Sequence, residues 1–158
     1  MKKKLGFLLA TFVAVLTLSA CAPQVNENGV PNSLKEKYSG YSKVYGYDPD
    51  IFSDGGSEIV FDKKENKITN TTTNDSKYFK VFPEDELSSK AKAILTKEKS
   101  ELEGKQYFII GVGNDKKNIS DSILYGIVLS NGGNTIRIFE FETGNSDTYY
   151  DFSGEAQN

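Results

Sequence analysis

Histidine and tryptophan are missing from this 158-residue chain, which holds a single cysteine, Cys21, and a single arginine, Arg137. Without histidine the protein lacks the usual general base, the commonest transition-metal ligand and the usual pH switch near neutrality. One cysteine excludes an intrachain disulfide, so the apolar core alone must hold the fold. There is no excess of positive charge: 19 basic residues face 22 acidic ones, a net charge of −3. That balance excludes the basic groove of a nucleic-acid-binding domain. No apolar run reaches the ~20 residues that a helix needs to span a bilayer. The longest, from Leu5 to Leu18, is broken by Gly6, Thr11 and Thr17.

That run has a meaning of its own. Lys2, Lys3 and Lys4 precede it and Leu18-Ser19-Ala20-Cys21 follows it. A basic start and a short apolar stretch are the n- and h-regions of a secretory signal, which is removed and carries no fold information. The closing tetrapeptide resembles the lipobox of bacterial lipoproteins: Leu, a small polar residue, Ala or Gly, then an invariant Cys. The resemblance implies that the Cys21 thiol takes a diacylglyceryl group and that a type II signal peptidase cuts between Ala20 and Cys21. It covers residues 1–21 and leaves the rest of the chain unassigned. Loss of residues 1–20 leaves 138 residues with 16 basic against 22 acidic side chains, net −6. This is one domain's worth. An acidic body gains nothing from an anionic membrane surface, so the lipid and not charge is expected to hold it there. Eighteen lysines to one arginine, with plentiful asparagine, point to an AT-rich genome and a low-GC Gram-positive source.

Residues 21–33 read as the lipidated cysteine and a flexible tether, since Ala22–Ser33 is polar, carries Pro23, Pro31 and Gly29, and shows no apolar period. Residues 34–152 are expected to form one α+β domain, and 153–158 a frayed tail. Ser33 and Glu36 fit a capping box that would open a helical turn through Tyr38. Strands are expected over Glu58–Asp62, Lys67–Thr73, Tyr78–Phe82, Gln106–Gly113, Ser122–Ser130 and Asn134–Thr143, with a further one from Asp147 to Phe152. Asn131-Gly132-Gly133 marks a turn. Pro83 opens the one long helix, about 84–102, whose Leu87, Ala91, Ile94, Leu95 and Leu102 make a single apolar stripe. In the late strands Phe108, Ile110 and Val112 oppose Tyr107 and Ile109, while Ile123, Tyr125, Ile127 and Leu129 oppose Leu124 and Val128. Strands apolar on both faces are covered on both. The fold class is therefore α+β: a mainly antiparallel sheet, or a small lipocalin-like barrel, with one docked helix. Gly126, inside a strand, marks a bulge or a close approach.

Few residues carry chemistry. Glu140 and Glu142, two apart on a strand, would stand about 6.5–7 Å apart on one face, near the spacing of inverting glycosidases. Ile136 and Ile138 share that face, so the ordinary reading is a strand leaving the core for water. Asp48, Asp50, Asp54, Gly55 and Glu58 approach a calcium loop, but the third carboxylate comes one residue late and Glu58 too early for an EF-hand. No metal, no cofactor and no catalytic group is expected. Tyr41, Tyr45 and Tyr47 share one face if extended, and with Tyr38 they form the one distinctive polar-aromatic cluster. They are the candidate contacts for a surface ligand or partner protein, against the plainer alternative of a core role. The expected function is a non-catalytic, lipid-anchored binding domain on the outer face of the cell membrane, with no nucleic-acid partner. An accessory or immunity-type lipoprotein acting by protein–protein contact is the alternative, and a carboxylate-dependent cell-wall hydrolase the weaker one.

Overall fold

Short runs of β-branched and aromatic residues separated by Asn-, Gly- and Asp-rich turns build sheet, and in the computed structural model they build a closed one. It describes residues 24–43, 51–141 and 150–158. The strands are β1 (Lys37–Ser42), β2 (Gly55–Asp62), β3 (Lys67–Asn70), β4 (Asp75–Val81), β5 (Gln106–Gly113), β6 (Leu124–Ser130), β7 (Thr135–Glu140) and β8 (Asp151–Ala156). Each pairs antiparallel with its neighbours in sequence order, and β8 returns to β1 to close an eight-stranded barrel. The closing register sets Tyr38 opposite Ala156 and Ser42 opposite Phe152. Tight turns use residues that tolerate positive φ: Asn66 at 51° and Asn74 at 64°, then Asn131, Gly132 and Gly133 at 53°, 65° and 86°. Of the two expected layouts, the barrel is the one formed.

Alternation fills the inside. Phe61, Ile68, Phe79, Phe108, Ile110, Tyr125, Ile127, Ile138 and Phe152 point inward and form one buried cluster. The opposite faces of β5, β6 and β7 carry Ile109, Leu124, Val128 and Phe139, and these form a second cluster with Phe82, Leu87, Ala91 and Leu102. The helix thus docks outside the barrel, as its narrow stripe requires, with Ala91 and Leu102 buried and Ile94 and Leu95 half-buried. Gly126 marks a close approach within regular pairing: a Cβ there would collide with the Phe139 ring.

Several boundaries differ from the sequence reading. The helix α1 spans Ser89–Leu102 rather than starting after Pro83. Glu84–Glu86 form a separate 3-10 turn, and the Ser88 side chain caps α1 by accepting the Ala91 N–H at 3.3 Å. The helical turn expected from Ser33 to Tyr38 is absent. Ser33 Oγ instead donates to Gln106 Oε1 at 2.6 Å, and Tyr38 enters β1 fully buried, its hydroxyl donating to the Gly133 carbonyl at 2.8 Å. Long-range packing outweighs the local cap signal here. The tail expected over 153–158 is strand β8 through Ala156, and its Gly154 lies beneath the Phe152 ring.

The part of the expected tether that is described, residues 24–33, is folded as well. Val25 bridges Pro31 across a small turn, and the Asn26 side chain accepts the Asn28 and Val30 N–H groups. Val30 and Leu34 plug the barrel. This strap crosses the end that holds the 63–66 and 131–134 turns, where Lys63 Nζ donates to the Leu34 carbonyl at 2.8 Å. We call it the base. At the other end, the mouth, Ile51 and Phe52 are buried just ahead of β2. Phe52 packs on Tyr125 and Tyr150 with ring centroids 4.5 and 4.7 Å away. Asn70, fully buried, holds this plug through Nδ2 to the Ile51 carbonyl at 3.0 Å, while its Oδ1 accepts the Thr72 and Thr73 N–H groups.

Candidate groove on the outer wall

Among the described residues the interior is packed with its own side chains, a cleft of about 240 Å3 remains at the mouth beside Ile51, Val112 and Tyr125, and further open space lies on the outside. α1 covers the outer faces of β5 to β7 and leaves those of β8 and β1 bare. Where the helix ends, a groove of about 640 Å3 runs over β7, β8 and β1. Strand alternation decides its lining. In β1, Tyr38, Gly40 and Ser42 face in while Ser39 and Tyr41 face out; in β8, Phe152 and Gly154 face in while Ser153 and Glu155 face out. Gly40 and Gly154 stand opposite each other, and the Phe152 ring occupies the room their missing side chains leave: a Cβ on Gly154 would lie 2.7 Å from Phe152 Cε1. Ser39, Ser153 and Thr135 bring hydroxyls, Lys105 and Glu155 charges of both signs, and Tyr41 a ring that is 57% exposed.

Arg137 fixes the groove's wall. Its guanidinium is bidentate to Asp151, Nε to Oδ1 at 2.9 Å and Nη2 to Oδ2 at 2.8 Å, and reaches Glu101 of α1 through Nη1 at 2.8 Å. It also lies 4.9 Å from the centre of the Phe139 ring. The hydrogen bonds to Asp151 raise its already high pKa further. A planar fork that stacks and pairs at once is what arginine does and lysine cannot. The chain's only arginine thus ties β7 and β8 to the helix. Its rarity among eighteen lysines was the one signal in the sequence that could have singled it out.

Of the residues picked from sequence, Tyr41 is on this surface and Tyr38 is in the core. Tyr45, Tyr47, Asp48, Asp50 and Glu142 lie outside the described residues, as do Ala20 and Cys21. Glu140 ends β7, its N–H bonded to the Tyr150 carbonyl at 2.9 Å and its Oε2 buried without a hydrogen-bond partner among the described residues. Burial pushes the neighbouring Tyr150 hydroxyl's pKa upward. Glu58 of the acidic stretch accepts from Thr71 at 2.8 Å and pairs with Lys37 at 3.0 Å, which holds its carboxyl below the usual range. Among the described residues, no three His, Cys, Asp or Glu side chains are grouped to hold a metal, and no helix is long and apolar enough to cross a membrane. The groove presents hydroxyls, both charge signs and one amphipathic ring. Neither protein-family models, nor curated proteins, nor solved structures give a match to this chain.

Proposed function

We propose that this chain is a bacterial lipoprotein, anchored through Cys21 on the extracytoplasmic face of the cell membrane, whose barrel is a non-catalytic binding domain. Eight strands joined in sequence order support a lipocalin-like plan. The single observation that chooses between ligands is the filled interior: Phe52, Phe61, Phe79, Tyr125, Tyr150 and Phe152 occupy the space where such a barrel would hold a small molecule. The contact is therefore made on the outside. A polar groove with an exposed tyrosine suits a protein surface, because tyrosine supplies apolar area with a hydrogen-bonding tip and is enriched at interfaces. This favours the accessory or immunity-type lipoprotein, working by protein–protein contact, over a carrier of small ligands.

The test is photo-crosslinking on intact cells, with a benzoylphenylalanine placed at Tyr41 or, as a control, at exposed Lys80 on β4. A discrete protein adduct from position 41 and none from position 80 is expected. Equal labelling at both, or none at 41, would remove the groove from consideration.

A further inference from the structure

Folded chain starts close to the anchor. The Gln24 carbonyl accepts the Asn32 N–H at 2.8 Å, and Val25 is already bridged to Pro31. Only Ala22 and Pro23 separate Gln24 from Cys21. Three residue steps span at most about 10 Å, at roughly 3.3–3.6 Å each. That is less than the width of the barrel's own wall and helix, since a helix with its side chains is about 10–12 Å across.

The strap belongs to the base of the barrel by every contact it makes. Asn26 Nδ2 donates to the Lys63 carbonyl at 3.3 Å, Ser33 bonds Gln106 at the start of β5, and the Gly133 backbone abuts the Ser33 carbonyl. Lys63 and Gly133 sit on the two hairpin turns of that end. A lipid chain on Cys21 would be rooted in the bilayer, so this end cannot stand away from it.

We infer that the base of the barrel rests against the lipid headgroups, with the mouth directed away; this rests on the lipid anchor proposed above. The surface that meets the lipid is the strap and the 63–66 turn. It presents Val25, half exposed, together with charges of both signs: Lys35 and Lys64 beside Glu27, Glu36, Asp62 and Glu65. Such a face has no basic excess to draw it to anionic lipid. The short connection alone imposes the contact, so the orientation is insensitive to salt and to lipid charge. The groove on β7, β8 and β1 then opens sideways, parallel to the membrane. A partner carried in the same membrane can reach it.

The full acylated protein tests this. Cys21 is blocked by its thioether, so Lys64→Cys on the base or Thr73→Cys on the mouth supplies the only free thiol for a fluorophore. Each labelled protein is reconstituted into phosphatidylethanolamine–phosphatidylglycerol vesicles carrying a headgroup spin label. Quenching several-fold stronger at position 64 than at position 73 is expected, with the same ratio in pure phosphatidylcholine. A Gly-Ser insert of about ten residues after Pro23, which adds roughly 17 Å of mean reach, should bring the ratio toward one. Equal quenching at both positions in protein whose acylation is confirmed by mass would overturn the orientation. A free thiol at Cys21 would instead overturn the anchor itself, and the orientation with it.

Discussion

The two ends of the barrel are closed by opposite means. At the base, the strap distributes its hold over backbone and side chains of several turns: Asn26 to Lys63, Lys63 to Leu34, Ser33 to Gln106, Lys35 to Tyr38 and Tyr38 to Gly133. Its apolar contribution is two aliphatic plugs, Val30 and Leu34. Among the described residues, the closure at the mouth is concentrated. One ring, Phe52, wedges between two tyrosines, and one amide, Asn70, holds the backbone behind it. Aromatic pairs of this kind add about 0.5–1.5 kcal/mol beyond the area they bury. A distributed closure loosens by degrees. A concentrated one has a single point of failure, and that asymmetry is open to experiment.

The largest effect is expected from Phe52→Ala, about 3–5 kcal/mol, with Leu34→Ala at the base costing about 2–5 kcal/mol. Chemical denaturation measures both. Hydrogen exchange separates them, because Phe52→Ala should raise exchange at Asn70, Thr72 and Thr73 and leave the strap amides Val30 and Asn32 protected. Loss of protection at both ends together would mean that the ends are one cooperative unit and would dissolve the contrast.

Asn70→Ala should cost about 1–3 kcal/mol, since it strands the buried Ile51 carbonyl and two turn N–H groups. Asn70→Asp sharpens the point: it keeps the acceptor for Thr72 and Thr73 but loses the donor to Ile51, so the turn should survive while the plug is released. Intrinsic tyrosine fluorescence, which reports the surroundings of Tyr125 and Tyr150, would follow that release.

Alkali should act on both ends. Burial raises the pKa of Tyr38 at the base and of Tyr150 at the mouth above the ordinary 10.0. Tyr107 on the outer wall is pushed up to about 12 by its hydrogen bond to Glu84. For each, the folded state favours the neutral phenol, so this stability is complete below about pH 10 and falls as pH rises through the folded values. Unfolding midpoints at about pH 9 and pH 11 should therefore differ. Tyr150→Phe should shrink that difference, and an unchanged gap in the variant would remove Tyr150 as a contributor.

Tyr41→Ala is the smallest expected effect, within roughly ±0.5 kcal/mol of the parent, because the ring stands out from β1. If it anchors a partner, the same change should weaken that contact by more than about 1 kcal/mol. A large drop in stability would return Tyr41 to the fold and take it out of the groove.

The middle of the barrel was far more legible than its ends. Gln106–Gly113 is a strand with the expected bounds, and the opposed apolar sets of β5 and β6 sort into interior and helix-facing clusters, except that Ile123 stands exposed ahead of β6. Those residues announce themselves because each strand is covered on both sides by apolar partners. The strap does not, because Val30 and Leu34 are isolated among polar residues and gain their burial from turns 29 residues away and more. The closing strand reads from sequence as Asp147–Phe152, and its second half as tail, for a related reason: its inward positions after Phe152 are Gly154 and Ala156, which carry almost no hydrophobic signal. The helix reads as starting after Pro83, not at Ser88, because proline and the three acids Glu84, Asp85 and Glu86 make the louder local pattern. The groove was illegible altogether. It arises where β1 meets β8, and pairing across more than a hundred residues leaves no trace in local periodicity.

That same seam governs when the fold can finish. Tyr38 pairs with Ala156, so the first strand waits for the last, and closure must fix a loop nearly as long as the domain. Contacts of such sequence separation make folding slow, in the range of milliseconds to seconds. The six residues of β8 decide whether β1 and β7 find their partner or remain open. A chain that has not yet delivered them is still threadable. On the export route proposed here, the barrel would cross the membrane as an unfinished chain and lock only after its C-terminal strand had followed it out.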